Sequence, residues 1–154
     1  MKTELRIAQK GLVLSRDKQS ILAIHYSDNK YLADKLSDKY GLPGGQTEFG
    51  ELPEETLIRE VREETGIIAK PLTPIHVYTW TYQKEKTKKQ IIAVAWLCHF
   101  VKGSLCKPAE EKESTIDYCK WLPLKPFPFR QFLAEETPVI RHFLKYRKKN
   151  PFDL

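Results

Sequence analysis

One acidic segment, residues 45–67, constrains the fold of this chain more than any other. Its sequence, GQTEFGELPEETLIREVREETGI, carries seven glutamates and two arginines. Pro53 suits the first turn of a helix, where its missing N–H needs no partner, and Gly66 suits the left-handed residue just past a helix end. The segment therefore predicts a helix over residues 52–65 that follows a loop.

The predicted helix carries an apolar sector beside an acidic one. At 100° per residue, the apolar sector contains Leu57, Ile58, Val61 and Thr65. The acidic sector contains Glu60, Glu63 and Glu64. Carboxylates in the last turn oppose the helix dipole at roughly 0.3–1 kcal/mol each, and like charges one turn apart repel by roughly 0.2–0.5 kcal/mol. Folding alone does not favour this sector, which is either a solvated surface balanced by arginines or a binding site.

The residues just before the helix favour a binding site. Pro43, Gly44 and Gly45 allow the backbone to turn sharply and to approach a ligand closely. Glu48 and Glu51 add carboxylates beside this turn. Carboxylates and backbone carbonyls are the hard oxygen ligands that Mg²⁺ and Mn²⁺ prefer. The pattern therefore predicts a divalent metal site between the loop and the helix.

The same segment resembles the signature of the Nudix hydrolases, including their MutT-like members. That signature is G-x(5)-E-x(7)-R-E-U-x-E-E-x-G-U, where U is aliphatic. The chain fills every position, with Gly45, Glu51, Arg59, Glu60, Val61, Glu63, Glu64, Gly66 and Ile67. The resemblance implies an α/β/α sandwich with a mixed β-sheet, a signature folded as loop, helix and loop, and a C-terminal helix.

The resemblance also implies roles for individual residues. Glu60 and Glu64 would be the principal ligands of Mg²⁺ or Mn²⁺, with Glu63 contributing and the Gly44 carbonyl as a further candidate. Arg59 would hold Glu60 and Glu51 in place. The base that activates water stays open. The candidates are Glu60, Glu63 and one residue of a later loop that can also join the metal site, namely Glu110, Glu111 or Glu113.

Length and composition predict a single domain over residues 1–154, folded over about 1–149 with a tail at 150–154. The chain has no run of 18 apolar residues and no signal-like N-terminus, so we expect a cytoplasmic protein without a membrane partner. Cys98, Cys106 and Cys119 have neither disulfide nor zinc spacing and are expected to be free thiols. By resemblance, a homodimer is a further candidate state.

Outside the signature, the pattern predicts two hairpins, a late strand and a final helix. Strands are expected at residues 5–14 and 21–26 around a turn at 15–19, at 75–82 and 90–101 after Pro71 and Pro74, and at 116–122. His25 is interpreted as a hydrogen-bonded structural residue, and residues 28–38 as a loop over the site anchored by Tyr31 and Leu32. Thr137 is expected to cap a helix whose core positions are Val139, Ile140, Phe143 and Leu144.

The implied reaction is hydrolysis of a nucleoside diphosphate linked to a group X, and the sequence leaves X open. The Gly44, Gly45 and Glu48 context favours nucleoside triphosphates, although Tyr40 stands where many relatives of that type have tryptophan. Tyr82 is a candidate contact for dinucleoside polyphosphates. By the same resemblance, ADP-ribose-cleaving relatives usually have a proline near the position of residues 80–83, and this chain has none there, which disfavours ADP-ribose. The net charge of +6 suits polyanions, including a triphosphorylated RNA 5′ end. The alternatives from other classes are a non-catalytic nucleotide-binding module and a scaffold.

Overall fold

A seven-stranded mixed sheet forms the middle of the computed structural model, which describes residues 1–27, 36–106 and 115–151. The elements in chain order are strands β1 (Lys2–Leu14), β2 (Ser20–Tyr26), β3 (Tyr40–Gly41) and β4 (Gly44–Gln46), helix α1 (Pro53–Thr65), strands β5 (Ile67–Lys84), β6 (Thr87–Gly103) and β7 (Ile116–Pro123), a 3-10 turn (Phe129–Gln131) and helix α2 (Thr137–Lys149).

Strand β1 lies at the centre and carries the mixed pairing. It runs parallel to β6 from the Lys2–Thr87 pair to the Leu14–His99 pair, and antiparallel to β4 around Lys10 and Gly44. The strand order is β3-β2-β1-β6-β5, with β4 on β1 and β7 on β2. Because β4 leads directly into the loop before α1, the central strand also positions the acidic segment.

The two helices cover opposite faces of the sheet. Val13 of β1 packs with Leu57 and Val61 of α1, whereas its neighbours Leu12 and Leu14 pack in the cluster that contains α2. Successive side chains of a strand point to opposite faces, so this alternation places one helix on each side. The α2 cluster takes Val139, Ile140 and Phe143 as buried residues and Leu144 at its edge. The predicted α/β/α sandwich is confirmed.

The first predicted hairpin has the expected turn but different strand partners. Ser15 and Ser20 are joined by a backbone hydrogen bond of 2.9 Å, and Asp17 accepts from the Ser15 hydroxyl at 2.6 Å. Between β1 and β2, however, only Leu14 and Ile21 are registered as partners. Over most of its length, strand β2 pairs instead with β7, and β1 pairs with β6.

The second predicted hairpin is confirmed and is longer than expected. Strands β5 and β6 are antiparallel from the Lys84–Thr87 pair to the Ile67–Gly103 pair. Pro71 and Pro74 were expected in a connection, but they lie inside β5, next to shifts in register. Proline lacks an N–H, and an edge strand tolerates it at such irregularities. Residues 95–98 of β6 are buried on both faces, whereas Ile92 and Val94 are only half-buried.

Two details of the predicted helices are wrong. Ile58 was placed in the packing sector of α1 but is 36% exposed, because the buried stripe runs through residues 56/57, 60/61 and 64/65. Thr137 was expected as the N-cap of α2, but Glu136 occupies that position, and the Thr137 hydroxyl donates to the Ala134 carbonyl at 2.9 Å. Thr137 is therefore the first residue of the helix itself.

Several predicted residues lie outside the described ranges, namely Tyr31, Leu32, Glu110, Glu111, Glu113 and the last three residues of the tail.

Within the described ranges, none of the helices has the length and apolar character needed to cross a membrane. All three cysteines are free, as expected. The ring nitrogens of His25 contact Asp117 Oδ1 at 2.7 Å and Asp38 Oδ1 at 3.1 Å, so this buried histidine is hydrogen-bonded, as predicted.

Candidate active site

Two glycines allow the turn before α1 to lie against the carboxylates of the helix. Gly44 has φ +146°, and a side chain there would collide with the Gln9 backbone. Its N–H donates to Glu64 Oε1 at 2.8 Å. At Gly45, an added Cβ would lie 2.5 Å from the carboxyl carbon of Glu60. The absence of side chains at both positions therefore creates the contact between loop and helix.

The two glutamates that face this turn are buried. Glu60 is 7% exposed and Glu64 is 5% exposed, in the same stripe of α1 as Leu57 and Val61. Burial of a carboxylate is unfavourable unless hydrogen bonds or opposite charges compensate it. Here the Gly44 N–H bonds to Glu64, and Arg59 Nη1 donates to Glu60 Oε1 at 2.7 Å.

Arg59 connects the helix to the loop. Its Nε and Nη2 donate to the two carboxylate oxygens of Glu51 at 2.8 and 2.9 Å, and its Nη1 lies 3.5 Å from Glu63 Oε2. The Arg59 guanidinium, together with the Glu48 N–H and the Thr56 hydroxyl, lowers the pKa of Glu51 to about 2. Glu51 in turn raises the pKa of Arg59 above its ordinary value. This bidentate pair fixes the geometry of Glu51 and Glu60.

These residues border an open cleft of about 650 Å³. Its lining consists of Arg6, Gly45, Gln46, Thr47, Glu48, Phe49, Arg59, Glu60 and Glu63. The structure thus brings Gly45, Glu48, Glu60 and Glu63 together, with Gly44 and Glu64 adjoining through their hydrogen bond. Tyr82 lies elsewhere, packed against Ala8, Ile91 and Ala93. Its role in substrate binding stays a prediction.

The donor set suits a hard dication that retains ligands from solvent and substrate. Among residues 1–27, 36–106 and 115–151, no three carboxylate, imidazole or thiol side chains converge as a ready-made cage. Magnesium is usually bound through one or two carboxylates plus water and phosphate oxygens, so a cage is not required. Glu60 and Glu64, held one turn apart beside the Gly44–Gly45 backbone, are the two carboxylates that would fit such a site.

The sequence did not reveal a second group of wholly or partly buried polar residues, on the α2 side of β1. It consists of Lys10 and Glu136, which are buried, and Tyr26 and Tyr78, which are half-buried. Burial raises the pKa of Glu136 and raises that of Tyr26 to about 12. Burial alone would lower the pKa of Lys10, but electrostatic attraction to Tyr26, Glu136, Glu64 and Glu60 outweighs this effect and holds the pKa above the ordinary value. The available signal was Lys10 itself, on the strand face that Leu12 buries.

Comparison with known proteins assigns the fold to a family. A family model described as NUDIX domain matches residues 5–145. Among solved structures, a MutT protein from Methanosarcina mazei Go1 superposes with a TM-score of 0.68 at 20% identity, covering 97% of this chain and 98% of that one.

Two curated relatives align over shorter stretches. The ADP-ribose pyrophosphatase of Methanocaldococcus jannaschii is 28% identical over 113 residues, which cover 70% of this chain and 66% of that protein. The 8-oxo-dGTP diphosphatase of Escherichia coli is 33% identical over 64 residues, which cover 42% and 43%. The chain thus spans less than two thirds of the length of either relative. Since the family model covers nearly the whole chain, the chain belongs to the NUDIX domain family.

Proposed function

We propose that this protein is a divalent-metal-dependent hydrolase of a nucleoside diphosphate linked to a group X, releasing a nucleoside monophosphate and phosphorylated X. The observation that carries the proposal is the arrangement of a complete signature. Buried Glu60 and Glu64 face a side-chain-free turn, and Arg59 holds Glu51 and Glu60. Such a carboxylate site beside an open cleft matches what phosphoanhydride hydrolysis requires.

In this proposal Glu60 and Glu64 hold Mg²⁺ or Mn²⁺, with Glu63 and the Gly44 carbonyl as further ligands. The bound ion would neutralise phosphate oxygens and lower the pKa of an attacking water. Arg59 keeps Glu60 in a ligating orientation through its hydrogen bond of 2.7 Å. The proton acceptor is Glu60, Glu63 or one of the loop glutamates Glu110, Glu111 and Glu113.

The leading substrate class is a nucleoside triphosphate, with dinucleoside polyphosphates and a triphosphorylated RNA 5′ end as alternatives. The cleft volume of about 650 Å³ lies in the range of small-molecule sites. The excess of basic residues suits a polyanion. The names of the two aligned relatives, an ADP-ribose pyrophosphatase and an 8-oxo-dGTP diphosphatase, support a nucleotide substrate and place ADP-ribose among those to be tested.

A substrate panel tests the proposal. The purified full chain is incubated with Mg²⁺ or Mn²⁺ and with dGTP, 8-oxo-dGTP, diadenosine tetraphosphate, ADP-ribose or 5′-triphosphorylated RNA, and the products are separated by anion exchange. We expect a nucleoside monophosphate, or a shortened RNA 5′ end, from at least one substrate, and none after chelation with EDTA. Tight nucleotide binding by calorimetry without any product would instead identify a binding module.

A further inference from the structure

The buried polar group on the α2 side of β1 contacts the backbone that leads into the active-site turn. Glu136 Oε1 accepts the Leu42 N–H at 3.0 Å, and Lys10 Nζ donates to the Leu42 carbonyl at 3.3 Å. The second oxygen of Glu136 accepts the Tyr78 hydroxyl. Glu136 is 2% exposed and Lys10 is 7% exposed, so both hydrogen bonds to Leu42 lie away from solvent.

Leu42 is connected to the carboxylate site through two residues. The Pro43 carbonyl accepts the Gly11 N–H at 2.8 Å, and the Gly44 N–H donates to Glu64 Oε1 at 2.8 Å. A shift of the backbone at Leu42 would therefore move Gly44 relative to Glu64. At Gly41, an added Cβ would lie 2.8 Å from Glu136 Oε1, which shows how closely the carboxylate approaches this backbone.

Stability alone gives no strong reason to bury the charges of Lys10 and Glu136. Burying a carboxylate and an ammonium costs much of what their attraction returns, and apolar replacements of similar volume are often no less stable. The charged groups do supply two directional hydrogen bonds to the backbone of one residue, one at the Leu42 N–H and one at the Leu42 carbonyl, so they hold the two successive peptide groups that flank the Leu42 Cα. Such bonds fix orientation, which an apolar core would leave less defined.

The geometry points to Glu136 and Lys10 as positioning residues for the reaction, acting through the backbone on either side of Leu42 on the Gly44–Glu64 contact. This inference rests on the proposed function for its kinetic consequence, whereas its structural consequence stands without it. Neither residue belongs to the signature, and each contacts the turn from the side of the sheet opposite α1.

The test compares Glu136→Ala and Lys10→Met with Glu136→Gln and Tyr78→Phe. The first two variants each remove one hydrogen bond to Leu42, and we expect kcat to fall about 10–100-fold with KM changed less than about threefold. Glu136→Gln keeps an acceptor oxygen for Leu42 and should restore most of kcat. Tyr78→Phe removes the other bond of Glu136 and is the matched control, with kcat within about threefold of wild type.

A readout independent of turnover is amide hydrogen exchange by NMR, taken as the rate at Gly44 divided by the rate at Val13 in β1. We expect this ratio to rise about tenfold or more in Glu136→Ala and Lys10→Met, and to stay near the wild-type value in Glu136→Gln and Tyr78→Phe. Lys10→Met serves alone should Glu136→Ala not fold. The inference is overturned if the exchange ratio is unchanged in folded Glu136→Ala or Lys10→Met. It is also overturned if Tyr78→Phe lowers kcat or raises the exchange ratio as much as these variants do. Failure of the proposed function would appear separately, as a wild-type protein without turnover.

Discussion

Helices α1 and α2 are both 13 residues long, yet they use their buried faces differently. The buried face of α2 consists of Val139, Ile140 and Phe143. That of α1 consists of Thr56, Leu57, Glu60, Val61, Glu64 and Thr65, of which four are polar. The last turn of α2 carries basic residues that suit the helix dipole, whereas the last turn of α1 carries Glu63 and Glu64, which oppose it. We infer that α2 serves stability and that α1 gives up some stability to hold carboxylates together.

The strongest test of this difference is Glu64→Gln. The amide oxygen can still accept the Gly44 N–H, so the fold should persist, but one negative charge is lost from the site. We expect turnover to fall at least about 100-fold, since loss of a metal-ligating charge removes several kcal/mol of transition-state stabilisation. The urea midpoint should stay equal or rise because a repelling charge has gone. The matched control, Glu54→Gln on the exposed side of α1, should keep its activity. Full turnover in Glu64→Gln would refute the metal-binding role of Glu64.

The converse variant is Phe143→Ala in α2. Phe143 is 1% exposed in the main core, so truncation should lower the free energy of unfolding by about 3–5 kcal/mol. The kcat per folded molecule should stay within about twofold when measured well below the unfolding transition. Urea unfolding and active-site-normalised kinetics check both expectations. A large loss of kcat in the folded fraction would show that α2 also shapes the site.

Arg59→Lys separates orientation from charge within α1. Lysine keeps the positive charge but cannot make the bidentate bonds to Glu51 together with the bond to Glu60. We expect kcat to fall about 10–100-fold with a change in unfolding free energy below about 1 kcal/mol. Arg62→Lys, at an exposed position of the same helix, is the control and should behave as wild type. Equal kinetics for the two variants would refute the orienting role.

Acid titration probes the Arg59–Glu51 pair. Because Arg59 lowers the pKa of Glu51 from 4.5 to about 2, the ionised carboxylate stabilises the folded state above pH 4.5. That contribution is lost as the pH falls from about 4.5 towards 2. The difference in unfolding midpoint between wild type and Glu51→Gln should therefore shrink across this window, in urea melts at successive pH values. A difference in midpoint that stays constant between pH 4.5 and 2 would mean that Arg59 does not lower the pKa of Glu51 in the folded state.

The smallest expected effect is that of Ile58→Ala, compared with Leu57→Ala at the adjacent position of α1. Leu57 is fully buried and Ile58 is 36% exposed, although the sequence predicts both in the packing sector. Leu57→Ala should cost about 2–5 kcal/mol of unfolding free energy. Ile58→Ala should cost less than about 1 kcal/mol. Similar losses in the two variants, measured by urea unfolding, would place the buried stripe of α1 differently.

The local parts of the site were predictable from the sequence because short-range rules determine them. Pro53 and Gly66 set the ends of α1 to within one residue, and the spacing of Glu60 and Glu64 placed both on one stripe. The glycine turn lies against these carboxylates, as the acidic segment led us to expect. Adjacent residues and helical periodicity were sufficient for these conclusions.

Features that depend on distant partners were not predictable in the same way. The β-rich run at residues 5–14 indicated a strand, but its parallel partner β6 is set by packing of the whole sheet. Glu136 was unremarkable as an acidic residue before a helix, and only the fold brings it to the Leu42 N–H. Pro71 and Pro74 were predicted in a connection before a strand, because the shifts in register that accommodate them inside β5 are set by its pairing with β6.

The hydrogen bond between Glu136 and Leu42 joins residues 94 positions apart, and this separation has a consequence for biosynthesis. A nascent chain that has emerged only as far as α1 carries all the signature residues but lacks the carboxylate that holds the preceding peptide. The central strand β1 likewise cannot form its parallel pairing until β6 has been synthesised. Contacts this far apart in sequence form late and slowly. The active-site cleft should therefore reach its final form only after Glu136 has left the ribosome.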